Sequence, residues 1–278
     1  VTVYAMPEAD ARGAVNRVIE DCEGMAARIA DLPGVTRAAP LVRGQVMATA
    51  NQRNTGAEVY GIAAADLATL PRIADPEESA GDIARFGAGV ALGSGIARQL
   101  GLAAGDTIRL ISPEGVKTAF GTSPRVKTYE VAYIFTAGRY DIDRTRIYMP
   151  FAEAQSYFNR EGVADEIEVM VRDPDRIDAY GPAIRQAAGG AVQLWTWRDS
   201  SGSFLRALEV EDNVMFVILS ILVLIAAMNI VSGLIMLVKN KGRDIGILRT
   251  MGLTEGAVLR VFFICGAFTG LIGTLAGV

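Results

Sequence analysis

The chain has 278 residues, of which 51% are hydrophobic and 21% charged, with a formal net charge of −4. It contains no histidine, which excludes histidine-based catalytic triads, the HExxH zinc motif and imidazole metal sites. Five of the 27 basic and two of the 31 acidic residues follow position 213, so residues 1–213 carry a net charge of −7. Nucleic-acid binding needs basic surface, so an acidic domain is a poor candidate for it.

The chain opens with Val-Thr-Val-Tyr, and no basic region or apolar region of a signal peptide follows. We therefore expect a transmembrane helix upstream of this sequence if the acidic domain is exported. The two cysteines, Cys22 and Cys265, lie in segments of different character, so we expect no disulfide.

Residues 9–32 are predicted to form an amphipathic helix that ends at Pro33-Gly34. Residues 35–49 and 57–62 are predicted strands, separated by a polar turn at 51–56. Residues 64–85 are mixed, with prolines that mark loops.

A glycine-rich run at 89–111 predicts a strand, a short helix closed by Gly101, a turn at Gly105-Asp106 and a second strand. Its glycine spacing does not fit GxGxxG, and the chain contains no GxxxxGK[ST]. The chain therefore does not bind ATP through a P-loop.

The polar stretch 112–128 is basic within an acidic domain, with Lys117, Arg125 and Lys127 against Glu114. Val116 and Phe120 are apolar residues without a periodic partner. A long loop inside a compact domain is often functional, and the alternative is a mobile hairpin tip.

The remaining elements of the domain give it an α+β pattern. Strands are predicted at 129–135, 145–149, 166–171 and 192–197, and helices at 152–158 and 177–188. A helix over 204–210 is expected to run into the apolar segment that follows. No GxSxG motif or Cys–His pair is present, so the sequence does not favour an enzyme.

Residues 214–238 are 25 uncharged residues, which as a helix would be about 37 Å long. That length crosses a hydrocarbon core of about 30 Å, whereas a buried helix of a soluble protein normally keeps a polar face. Glu209, Glu211 and Asp212 precede the span, and Lys239, Lys241 and Arg243 follow it. The basic flank predicts the cytoplasmic side, so the large domain is expected to be periplasmic or extracellular.

Residues 261–278 are uncharged and predict a second span, either whole or cut short by the end of the sequence. Its four glycines fall on one helical face and form two GxxxG patterns, typical of a packing face; the alternative is a flexible end. They are Gly266, Gly270, Gly273 and Gly277. Thr254 is the predicted N-cap of this helix. Asn229, at the middle of the first span, is expected to hydrogen-bond a neighbouring helix.

The connection 239–252 combines an apolar stripe, Ile245, Leu248 and Met251, with charged residues around it. That combination favours docking onto another protein, and the alternative is a simple loop.

With these segments in place, the chain resembles the permease subunits of the lipoprotein-releasing ABC transporter, the LolC/LolE type. This type belongs to a wider class with MacB and FtsX. The resemblance covers nearly the whole chain and is strongest over two stretches. They are Trp195-Thr-Trp-Arg-Asp through Asn229-Ile-Val-Ser-Gly-Leu-Ile-Met-Leu-Val, and Lys241-Gly-Arg-Asp-Ile-Gly-Ile-Leu-Arg-Thr-Met-Gly252. Residues 89–110, 132–138 and 150–155 add to it.

The resemblance implies a MacB-like periplasmic core domain of two subdomains, joined to transmembrane helices. Family members have four spans, so 214–238 would be the second and 261–278 the third. The implied organisation is a periplasmic domain with a hook-like loop at 112–128, a connecting and transmembrane helix, a cytoplasmic coupling segment and a further transmembrane helix. Their ranges are 1–205, 206–238, 239–255 and 256–278.

The resemblance also implies partners: a separate ATPase that binds ATP and Mg, a second permease subunit, a periplasmic carrier, lipoprotein cargo and membrane lipids. No cofactor is expected on this chain, and the protein is expected in the bacterial inner membrane. ATPase coupling is assigned to Lys241, Arg243, Asp244, Ile247, Leu248, Arg249, Met251 and Gly252. The hook that would bind the carrier comprises Pro113, Val116, Lys117, Phe120, Pro124, Arg125 and Lys127. Acyl chains of the cargo would contact Met215, Phe216, Leu219, Leu222 and Val223.

Two alternatives remain open from the sequence. One is a MacB- or FtsX-like efflux or signalling permease, which shares the coupling segment and would be expected to lack the hook. The other is a membrane-anchored binding domain that does not transport. The sequence does not separate a LolC role from a LolE role or from a single permease that serves both.

Overall fold

The structure, a computed structural model, describes residues 1–9, 15–118, 121–190 and 192–277. It divides into two compact units, Val1–Ser201 and Gly202–Val278. In the first unit the strands are β1 (Thr2–Ala5), β2 (Glu8–Ala9), β3 (Val15–Asn16), β4 (Val35–Ala50), β5 (Arg53–Ile62), β6 (Glu78–Gly81), β7 (Val90–Gly93), β8 (Thr107–Thr118), β9 (Gly121–Thr136), β10 (Arg146–Pro150), β11 (Glu166–Val171) and β12 (Val192–Trp195).

Short helices connect these strands. They are α1 (Cys22–Ala30), α2 (Ala64–Leu67), α3 (Pro71–Ala74), α4 (Ser94–Leu100), α5 (Tyr140–Thr145), α6 (Phe151–Phe158), α7 (Ile177–Ala187) and α8 (Trp197–Ser200). Two 3-10 turns, Ile83–Ala88 and Pro174–Arg176, complete the unit. The α+β class expected from the sequence is confirmed.

One mixed sheet forms the frame of this unit, in the order β12-β1-β11-β4-β5-β10-β7-β9-β6. The long strand β4 joins its two parts, because residues 35–41 pair with β11 and residues 42–50 pair with β5. β8 leaves this path and pairs with β4 and β9. The β8–β9 hairpin is thereby attached to the sheet at its base.

Helices cover the sheet in three apolar clusters. Ile29 of α1 and Ile184 of α7 pack on one face of β1 and β11. Successive strand residues point to opposite faces, so Val59 and Tyr60 of β5 belong to different clusters. The Val59 cluster includes residues of α4 and α6, and the Tyr60 cluster includes Leu67 of α2.

The first predicted helix, residues 9–32, is wrong over much of its length. The helix α1 covers only Cys22–Ala30, while Glu8–Ala9 and Val15–Asn16 pair as strands, and residues 10–14 lie outside the described part. Ile19 pairs with Ala164, and its amide donates to the Ala164 carbonyl at 2.7 Å. This bond to a residue distant in the sequence holds the backbone extended where apolar periodicity predicts a helix.

Two predicted turns depend on residues that adopt a positive φ. The turn between β4 and β5 contains only Asn51 and Gln52, both at positive φ, as a tight two-residue hairpin requires. The predicted turn at 51–56 was therefore too long. The glycine-rich run is confirmed as β7, α4 and β8, with Gly101 ending α4 at a φ of 67°.

Over residues 202–277, the described part of the second unit, the chain forms three helices: α9 (Gly202–Asn240), α10 (Gly242–Thr250) and α11 (Glu255–Gly277). α9 and α11 are long and apolar enough to cross a membrane. α9 contains the predicted span 214–238 and also the helix predicted over 204–210. α11 begins directly after Thr254, the predicted N-cap, and Val278 lies outside the described residues.

Candidate functional sites in the hairpin and the α10 segment

The predicted hook, residues 112–128, is mostly a two-stranded ribbon rather than a loop. Backbone pairing runs from Thr107 with Glu130 to Thr118 with Gly121, with one irregularity between Ser112 and Val116. β4 pairs with β8 only at residues 109–111, so the ribbon beyond residue 111 is no longer paired with β4. The polar residues of this stretch predict a loop, but hydrogen bonds between β8 and β9 hold the backbone extended.

The residues expected to bind the carrier are distributed along this ribbon. Pro113 and Pro124 are exposed, and Val116 and Lys117 lie in β8 opposite Ser123 and Thr122. Phe120, the expected apolar tip, lies outside the described residues. The carrier-binding role of these residues stays a prediction.

Arg125 makes three contacts with the end of α6. Its Nη1 donates to the carbonyl oxygens of Ser156 and, at 3.0 Å, Tyr157, and its Nη2 donates to Oδ1 of Asn159 at 2.8 Å. In the opposite direction, the Tyr157 hydroxyl donates to the Arg125 carbonyl oxygen at 3.2 Å. The Arg125 guanidinium is thus engaged within the domain.

Lys127 also contacts α6, two residues further along β9. Its Nζ lies 2.6 Å from Oε1 of Glu153 and 5.4 Å from the ring centre of Tyr129. The Tyr129 hydroxyl donates to the same Glu153 oxygen at 2.8 Å. Burial opposes the negative charge of Glu153, but the hydrogen bonds from Lys127 and Tyr129 outweigh it, so the pKa of this carboxyl lies below its ordinary value.

α10 presents the apolar residues expected to couple to an ATPase. Ile247, Leu248 and Met251 are all exposed, with Met251 77% exposed. Ile245, predicted to share a stripe with Leu248 and Met251, is partly buried instead. The apolar surface of α10 is therefore made by its C-terminal half.

Ion pairs hold the charged residues at both ends of α10. Lys241 pairs with Asp244 at 3.0 Å, and Arg249 pairs with Glu255 of α11 at 2.7 Å. Arg243 is exposed and has no ion pair within the described chain. Gly252, at a φ of 103°, turns the chain from α10 towards α11. The contact of these residues with an ATPase stays a prediction.

The residues assigned to acyl chains and to helix packing lie on α9 and α11. Met215, Phe216 and the other three assigned acyl contacts are exposed, as are most apolar residues of α9. All four glycines of the predicted packing face lie in α11, and an added Cβ at any of them meets open space. Asn229 is exposed. Both roles stay predictions.

One polar face of the sheet was not predicted from the sequence. On it, Arg43 and Arg146 stack against Tyr60, with guanidinium carbons 5.3 and 4.6 Å from the ring centre. These three residues line a cavity of about 490 Å³. Nearby, Arg37 is 7% exposed and pairs with Glu168 at 2.6 Å. The alternation of charged and apolar residues in 166–169 was the available signal, since it places both glutamates on one face.

Comparison with known proteins gives matches in both units. The MacB-like periplasmic core domain family matches residues 1–187, and the FtsX-like permease C-terminal family matches residues 216–278. The chain is 32% identical to the lipoprotein-releasing system transmembrane protein LolC of Neisseria meningitidis serogroup B, over 88% of this chain and 60% of that protein. It is also 32% identical to LolC of Xylella fastidiosa strain Temecula1, over 68% of this chain and 46% of that protein.

The chain thus spans between about half and three fifths of these relatives' length. A solved structure that is similar is the periplasmic region of MacB from Actinobacillus actinomycetemcomitans, at 12% identity and a TM-score of 0.44. That match covers 75% of this chain and 92% of the solved chain.

Proposed function

This chain belongs to the LolC/LolE-type permeases, which join a MacB-like periplasmic core domain to an FtsX-like permease domain, and from that premise we propose that it is part of an ABC transporter permease that releases lipoproteins from the bacterial inner membrane. The observation that carries the proposal is the similarity to LolC across both units. The basic flank after the first span supports a periplasmic location for unit 1.

The energy source of this transporter is a separate ATPase that binds ATP and Mg. The chain has no P-loop sequence of its own, while the exposed apolar residues of α10 lie between its two candidate spans. An apolar patch with a charged rim suits docking onto another protein. Closure of the ATPase is then transmitted through α10 to α9 and α11.

The hairpin receives the periplasmic carrier in this proposal. Its two strands pair with each other beyond their last pairing with β4, and Phe120 has the size and polarity to enter an apolar cavity on a partner. Phe120→Ala is expected to weaken carrier capture by about tenfold, the scale of one buried aromatic anchor. Unchanged capture would remove the hairpin from the carrier interface.

The matched control is Tyr140→Ala, because Tyr140 is an exposed aromatic residue of α5, outside the hairpin. Arg125→Glu is unsuitable as a companion, since it would place a carboxylate against the carbonyl oxygens at the end of α6.

The decisive experiment is reconstitution of the full-length permease with its ATPase and a lipidated lipoprotein in proteoliposomes. We expect ATP-dependent transfer of the lipoprotein to a soluble carrier. ATP hydrolysis without release, but with export of a small molecule, would instead favour an efflux permease. Absence of any association with an ATPase would favour a binding domain that does not transport.

A further inference from the structure

The base of the hairpin is held by helix α6. The last carbonyl groups of any α-helix lack partners within the helix, and a cation at this end is favoured by the helix dipole. Arg125 supplies both the donors and the charge through its bonds to Tyr157 and Asn159. Asn159 ends the helix in the left-handed conformation, at a φ of 55°.

The contact is reciprocal, because Tyr157 binds the backbone of the residue whose side chain binds the helix. Tyr157 is only 1% exposed and packs edge-on against Phe158 within a core cluster. A residue buried to this degree fixes the position of its hydroxyl. It also cannot touch a partner protein.

Arg125 and Lys127 lie on the same side of β9, since strand side chains alternate in direction. Lys127 binds Glu153 in the first turn of α6, and Arg125 binds the last turn. Two cations of one strand therefore hold both ends of one helix. This double attachment adjoins the part of the ribbon that no longer pairs with β4.

We infer that Arg125 is a positioning residue: it sets the direction of the hairpin through its grip on α6, and it contributes to carrier binding through that direction rather than by touching the carrier. The second half of this inference rests on the proposed function, whereas the first half does not.

The test measures hydrogen exchange in the hairpin of the full-length chain in detergent. Arg125→Met is expected to speed exchange of the ribbon amides about tenfold, since hydrogen bonds to a charged group are lost. Tyr157→Phe removes only the hydroxyl and is expected to speed it about threefold. The control is Arg109→Met, because Arg109 is an exposed residue of the same hairpin that makes no side-chain hydrogen bond or ion pair in the described chain.

Capture of purified carrier by the same variants completes the test. We expect both Arg125→Met and Tyr157→Phe to weaken carrier capture. Arg125→Met, which speeds hydrogen exchange more, is expected to weaken it more. Unchanged exchange in Arg125→Met overturns the anchoring. Full capture by Tyr157→Phe, despite faster exchange, overturns the positioning role. If the wild-type chain captures no carrier, the proposed function fails, and the exchange rates alone support or overturn the anchoring.

Discussion

Glu166 is a buried carboxyl on the polar face of the sheet, with 5% of its surface exposed. Burial raises its pKa above the ordinary value, although a hydrogen bond with Tyr4 and the charge of Arg43 oppose that rise. Ionised Glu166 is therefore disfavoured in the folded domain. Arg37, on the same face, has two buried nitrogen atoms, Nε and Nη2, without a hydrogen-bond acceptor among the described residues, although Nε lies 3.7 Å from Oδ1 of Asp66.

Glu166→Gln is expected to raise the thermal unfolding midpoint at pH 7. The folded domain binds this proton more tightly than the unfolded chain, so the wild type loses stability as the pH rises above about 4.5, the ordinary pKa of a glutamate. Glutamine keeps an acceptor for Tyr4 and carries no charge. The two proteins should therefore converge at and below that pH, and a lower midpoint for the variant at pH 7 would contradict this account.

At the scale of elements, the first three glycines of the run 89–111, Gly89, Gly93 and Gly95, are explained by close packing rather than by a nucleotide. An added Cβ at Gly93 would lie 2.4 Å from the backbone oxygen of Asp143, and one at Gly89 would lie 2.5 Å from that of Glu130. Backbone atoms cannot move aside as a flexible side chain can. Gly93 therefore lets α5 approach the junction of β7 and α4, and Gly89 lets β9 approach the start of β7.

Gly93→Ala is expected to destabilise unit 1 by about 1–3 kcal/mol, the usual cost of overpacking a well-packed site. Chemical denaturation of the full-length chain measures this change. Gly56→Ala serves as control, because an added Cβ there meets open space. Equal stability of the two variants would show that α5 can shift.

Elements with local signals were predictable from the sequence, as α4 with its Gly101 end and the uncharged apolar span within α9 show. Elements decided by distant partners were not. Ile19 pairs with Ala164 and shortens α1, and the polar ribbon is extended because β8 and β9 pair with each other. The sequence predicts where the hairpin lies in the chain but not what it contacts, because no residue near Arg125 in the sequence indicates a contact with Tyr157.

At the scale of the whole molecule, the proposed function assigns two partners to separate surfaces. The exposed apolar end of α10 is the candidate for the ATPase, and the hairpin of unit 1 is the candidate for the carrier. α9 contains the whole acidic flank of its span and Lys239, the first residue of the basic flank.

Leu248→Asp is expected to reduce co-purification of the ATPase by about tenfold, because it places a charge in an apolar docking patch. Leu248 is exposed, so the fold of the permease itself should be unaffected. Met6→Asp is the control, since Met6 is an exposed apolar residue of unit 1. Normal assembly and coupled transport with Leu248→Asp would show that α10 does not dock the ATPase.

α9 is one uninterrupted helix from Gly202 to Asn240. Each residue of an α-helix rotates the side-chain direction by about 100° around the helix axis. The side-chain directions in the first turn of α9 are therefore fixed relative to those in its last turn. An insertion of two residues near the middle of α9 would rotate one end against the other by about 200°, whereas seven residues, nearly two whole turns, would almost restore the phase. A rotation of one end of α9 about the helix axis therefore turns the other end as well, just as a displacement along the axis moves both ends.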